Sequence, residues 1–139
     1  MRLVRLVILS LAAFVVHLPN VHAAGCKADF GEEMKSEGQK TGLSARILTA
    51  PVTVPVGQPF SAKVVICGSN EQAVDSFSID ATMPQHRHGM NYKPSVTSGD
   101  DRKYEATGLF FHMPGLWRFE VTVQSKGKPQ RFTHDVIAK

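Results

Sequence analysis

The chain has 139 residues, a formal charge of +4 and two cysteines, enough for one domain with little room for a second. Its basic residues are scattered, so there is no electrostatic footprint for nucleic acid. G-x-S-x-G, H-E-x-x-H, Walker and C-x-x-C-H patterns are all missing, which leaves no assigned nucleophile or haem and an expected non-enzymatic role.

Residues 1–23 read as a secretory signal peptide. Arg2 and Arg5 form a short positive region, and the apolar run from Leu6 to Leu18 is interrupted only by Ser10 and His17. Pro19-Asn20 ends that run, and Val21-His22-Ala23 offers small residues at −3 and −1 of a cut. The run is short against the roughly 20 residues of a membrane span, so the expected location is periplasmic or secreted. Loss of Arg2 and Arg5 lowers the charge of the mature chain by two.

Residues 24–42 are polar and contain Gly25, Gly31, Gly38 and Gly42, the composition of a flexible N-terminal arm. The domain is expected over 43–139. It starts with Ala45-Arg46-Ile47-Leu48, followed by turns and edges marked by Pro51, Pro55, Gly57 and Pro59. Strands are expected over Phe60 to Cys67, Ala73 to Ala81, Tyr92 to Thr97, Lys103 to Phe111, Leu116 to Val123 and Arg131 to Ile137. Turns at Gly68-Ser69-Asn70, Ser98-Gly99-Asp100-Asp101, Pro114-Gly115 and Lys126-Gly127 separate them. About seven short strands without an amphipathic helix predict an all-β, immunoglobulin-like antiparallel β-sandwich. Trp117, Phe119, Val121 and Val123 alternate with Leu116, Arg118, Glu120 and Thr122 and predict one strongly two-faced strand, with Phe110, Phe111, Trp117 and Phe119 as core packing.

Cys26 and Cys67 are expected to pair in an exported protein. The loop of about 40 residues so closed is worth roughly 4 kcal/mol in the chain-entropy model. Cys26 follows Ala24-Gly25 and has a second reading as a lipid-attachment cysteine, although the usual Leu three residues earlier is missing. Membrane association is expected only if Cys26 is lipidated or the signal is retained.

Histidine and methionine concentrate in two stretches. Beyond residue 23, three of four His and three of four Met fall in Met83-Pro84-Gln85-His86-Arg87-His88-Gly89-Met90 and in His112-Met113-Pro114. Each stretch follows a strand and contains turn-forming Pro or Gly, which predicts exposed positions at strand ends. In extended chain His86, His88 and Met90 project to one side, and His112 or Met113 would complete a set from the neighbouring hairpin. Imidazole with thioether is a soft to borderline donor set that suits Cu(I), accepts Cu(II) through imidazole and offers little to Mg²⁺ or Ca²⁺. The candidate metal ligands are therefore His86, His88, Met90, His112 and Met113, with Met83 as a weaker one. Each also has a plain structural reading, Met83 as a cap on the core and Met113 as packing beneath Trp117. His134 lies in an alternating strand and reads as solvated or structurally bonded, and Met34 has no assigned role.

These two stretches, Met83 to Met90 and Gly108-Leu-Phe-Phe-His-Met-Pro-Gly-Leu-Trp-Arg-Phe-Glu-Val121, resemble the YtkA-like domain family, which is related to FixH. The resemblance covers roughly residues 43–138. It implies an exported or membrane-tethered immunoglobulin-like β-sandwich and, through FixH-like members, an association with copper delivery and terminal-oxidase assembly. It further implies His86-x-His88-x-Met90 with His112-Met113 as the copper-binding part. The chain lacks the retained membrane helix of FixH proteins and the His₂-plus-thiolate set of a blue-copper centre. The expected function is a periplasmic copper carrier or chaperone that hands its ion to an acceptor in the envelope. The alternative is an immunoglobulin-like interaction module that binds another envelope protein without metal.

Overall fold

The computed structural model describes residues 30–38, 41–68 and 73–139. The signal sequence and Cys26 lie outside the described residues. The described residues form ten strands in chain order: β1 (Glu32–Glu33), β2 (Lys35–Glu37), β3 (Ser44–Ala50), β4 (Pro59–Cys67), β5 (Ser76–Met83), β6 (His88–Gly89), β7 (Ser95–Ser98), β8 (Lys103–Phe110), β9 (Gly115–Ser125) and β10 (Lys128–Ala138). They form two five-stranded antiparallel sheets, β1-β3-β4-β8-β7 and β2-β10-β9-β5-β6. Without β1 and β2, the orders β3-β4-β8-β7 and β10-β9-β5-β6 match the A-B-E-D and G-F-C-C′ sheets of an immunoglobulin-like sandwich. No helix among the described residues is long and apolar enough to cross a membrane.

Period-two patterning builds each layer. In β9, Trp117, Phe119, Val121 and Val123 are fully buried, while Arg118, Glu120 and Thr122 face outward. In β4, Phe60, Ala62, Val64 and Ile66 meet them from the other sheet. Both strands are central in their sheets, so each needs a continuous apolar face. The β9–β10 hairpin turns on Lys126 and Gly127, both with positive φ (51° and 72°), the backbone that a tight two-residue hairpin demands. At one end of the core Phe77 stacks on Tyr104 with centroids 3.9 Å apart. At the other end Phe60, Phe111, Trp117 and Phe119 form an aromatic cluster.

The N-terminal segment departs from the flexible arm expected over 24–42. Its described part adds β1 to the edge of one sheet and β2 to the edge of the other. Between them Met34, 3% exposed, enters the core while its N–H donates to the Ala45 carbonyl at 2.9 Å. All side chains of β1 and β2 are exposed, so these strands leave no apolar alternating signature. Arg46 donates to the carbonyls of Phe30 and Gly31. A Cβ at Gly31 would come within 2.1 Å of the Ile47 carbonyl oxygen, so only glycine fits there. On the other side buried Gln130 donates to Ser36 Oγ (2.7 Å) and the Glu37 carbonyl (3.0 Å), and accepts from the Thr41 N–H (3.3 Å).

Cys67, which closes β4, is not a free thiol. On the outer face of β9 and β10, Arg118 donates to both carboxylate oxygens of Asp135, at 2.7 and 2.9 Å. That hydrogen bond, reinforced by the guanidinium charge, holds the Asp135 carboxyl below its ordinary 3.8.

Two outcomes follow from this packing. Met34→Ala is expected to cost about 2–4 kcal/mol in chemical denaturation, whereas a loosely attached arm would make it neutral. Asp135→Asn is expected to cost under about 1 kcal/mol at neutral pH, because the pair is more than a third exposed. Since folding lowers the Asp135 pKa, the pair's contribution is complete above pH 3.8 and is lost as pH falls through the folded-state value. Parent and variant denaturation curves should therefore converge in acid.

Candidate metal site

The first His/Met stretch is a turn with a short return strand. Strand β5 ends at buried Met83, whose carbonyl accepts from the N–H of His86 (3.1 Å) and of Arg87 (2.9 Å). Arg87 adopts a left-handed backbone, φ 56°, and β6 then pairs back, with His88 opposite Met83 and Gly89 opposite Thr82. The extended run expected for 86–90 is therefore absent. His86 and His88 approach each other because a turn folds the chain, not because strand alternation points them to one side. Met90 is half-buried, packs against the core and donates its N–H to the Ala81 carbonyl at 3.1 Å.

The second stretch joins β8 to β9 across the same end of the sandwich. Phe111 bridges to Val56 and accepts from the Gly57 N–H at 2.8 Å. Its ring stacks on Trp117, with centroids 4.2 Å apart and planes 4° from parallel. The Trp117 indole N–H donates to the Met113 carbonyl at 3.0 Å, which fixes the path of His112-Met113-Pro114. Met113 packs against the core. Met83, 1% exposed, reaches under this loop, and its Cε lies 3.3 Å from where a Cβ at Gly115 would stand. Its structural reading as a core cap accounts for that placement.

Three imidazoles meet here. The His88 and His112 centroids are 5.1 Å apart and those of His86 and His88 are 5.9 Å apart. Two imidazoles on one ion at metal–nitrogen bonds of about 2.0 Å have centroids roughly 5.2 Å apart at a tetrahedral angle and about 6.4 Å apart when collinear. The centroid separations of His88 from His112 and of His86 from His88 are both compatible with a shared ion. Among the described residues no three His, Cys, Asp or Glu side chains form a closed metal-holding group.

Proton placement favours ligation by His88. Its Nδ1 lies 3.3 Å from the Gly89 carbonyl. A carbonyl only accepts, so this contact selects the Nδ1–H tautomer and leaves the Nε2 lone pair for a metal. His112 is less comfortable, because its Nδ1 is buried without a hydrogen-bond partner. An unpaired buried polar nitrogen costs about 1–3 kcal/mol. Neither Met83–Met90 nor His112–Gly115 contains a carboxylate, so the local donors are nitrogen and thioether.

Trp117 is the neighbour that the sequence reading assigned to packing alone. Its centroid lies 5.8 Å from that of His88 and 5.5 Å from that of His112. The signal was present in the alternation of β9, which turns Trp117 inward two residues after Gly115, beneath the His112 loop. His134 lies apart on β10, half-buried, and lines a shallow groove with Leu48, Val54 and Ile137.

No family model matches the chain, and no curated protein matches it. Among solved structures it is similar to the crystal structure of a DUF4426 family protein from Pseudomonas aeruginosa PAO1. The TM-score is 0.47 at 14% sequence identity, over 75% of this chain and 93% of that one.

The buried His112 nitrogen carries a stability test. His112→Phe keeps a ring beside Trp117 and removes the unpaired nitrogen, so the metal-free fold is expected to gain about 1–2 kcal/mol. A rise in the denaturant midpoint at unchanged slope would bear this out, and a loss would make His112 a structural residue.

Proposed function

We propose that this protein is an exported carrier of copper, Cu(I) in preference to Cu(II). His86, His88 and His112 supply nitrogen, and half-buried Met90 and Met113 supply thioether sulfur. Met83 stays with the core. The observation that supports this most is the approach of His88 and His112 from two separate strand ends, with His86 beside His88 and an unpartnered buried nitrogen on His112. Such a nitrogen is destabilising in the empty protein and useful to an ion. The donor set, rich in imidazole and thioether and free of carboxylate, favours a soft cargo.

The YtkA-like resemblance of the same two stretches supports copper as well, and the signal-like residues 1–23 support a periplasmic or secreted location. A Cys26–Cys67 disulfide belongs to this reading. The site's build suits transfer better than storage. His86 is exposed on a turn, so an acceptor can displace the outer ligand first, while His88 and His112, half-buried against Trp117, hold the ion until exchange is complete.

The reading is tested by competing the purified mature chain for Cu(I) against a chromophoric chelator. One tightly bound equivalent is expected. The His86→Ala/His88→Ala double variant should lose at least tenfold in affinity, roughly 1.4 kcal/mol or more, with an unchanged circular dichroism spectrum. No competition by the parent protein would remove copper from the function.

A further inference from the structure

We infer that Trp117 is itself part of the ion site, lying against the bound cation as an aromatic partner and biasing the site toward the monovalent ion. The inference rests on the copper reading above and adds a specificity-determining residue that its donor set does not contain.

The geometry is constrained by three ring separations. With His88 and His112 5.1 Å apart and 5.8 and 5.5 Å from Trp117, the midpoint of the two imidazoles lies about 5.0 Å from the indole centroid. An ion bound to both imidazoles sits roughly 2 Å from that midpoint, given metal–nitrogen bonds of about 2.0 Å. Its distance from the indole centroid is then about 3–7 Å, a range that reaches inside the roughly 6 Å within which a cation over the ring face is attracted. The two imidazole planes stand at 71° and 80° to the indole. An indole lying parallel to either imidazole would instead stack on it and compete for the space.

Two features keep the indole in place for this contact. Phe111 stacks on it in parallel, and its N–H is committed to the Met113 carbonyl, so it cannot rotate away as the ion arrives. It is also 0% exposed, and exclusion of water strengthens attraction between a cation and a ring. The preference between oxidation states follows from coordination chemistry. Cu(II) seeks a tetragonal set of nitrogen and oxygen donors, which a dry apolar wall denies. Cu(I) accepts few, soft donors and loses little by facing a ring.

Chain composition provides a clean readout, because Trp117 is the single tryptophan. Ag(I), a diamagnetic and redox-inert stand-in for Cu(I), is titrated into the full exported chain while the indole absorption is recorded. The expected result is a red shift that saturates at one equivalent and disappears in His88→Ala/His112→Ala. Trp117→Leu should then weaken Cu(I) binding by roughly 2- to 30-fold and lower the ratio of Cu(I) to Cu(II) affinity, since both ions use His112 and only Cu(I) gains from the ring. Should that variant fail to fold, the parent titration decides by itself. His-dependent binding of one ion without any indole change would overturn the role of Trp117 and leave the copper reading intact. Absence of Ag(I) and Cu(I) binding would overturn both.

Discussion

The stack of Trp117 on Phe111, locked by the indole hydrogen bond to the Met113 carbonyl, is the contact on which this end of the molecule depends. It joins the first residue after β8 to the start of β9, and so makes a sharp change of sheet part of the hydrophobic core. The backbone carbonyl it captures belongs to the loop that carries His112. Burial of an aromatic pair and placement of a candidate ligand are therefore one event, and the loop need not be ordered by the ion it would hold.

Around that contact the protein balances comfort against readiness. His88 is settled, with its ring nitrogen on a carbonyl, while His112 retains a buried nitrogen without a partner. A fold selected for stability alone would fill that position with an apolar ring. Keeping imidazole there costs about 1–3 kcal/mol, which the surrounding hydrophobic core can absorb. A buried polar group without a partner calls for an explanation, and the proposed ion would supply one.

The N-terminal segment shows a different economy. By splitting between the two sheets, β1 and β2 cover an outer strand in each, β3 and β10, which would otherwise present unpaired backbone. Met34 plugs the core at the crossing point. The anchors are a glycine beneath Ile47, the Arg46 side chain and the buried Gln130 amide, all far from the His cluster in sequence. The sandwich is thus finished by residues whose composition reads as linker.

Composition and alternation determined the architecture on their own. A strand such as β9 must hide Trp117, Phe119, Val121 and Val123 together, and only a facing sheet with the same need, met by β4, can cover them. The concentration of His and Met beside turn residues was legible for the same reason, since strand ends lie where Pro and Gly stop the ladder. What the tertiary structure alone decided is how those residues meet. Strand periodicity put His86 and His88 on one face, whereas a left-handed Arg87 folds them together. Linear spacing held no information on the 5.1 Å between His88 and His112 or on the tryptophan against both. Strands β1 and β2 were equally illegible, because an edge strand that exposes every side chain imposes no apolar pattern on its sequence.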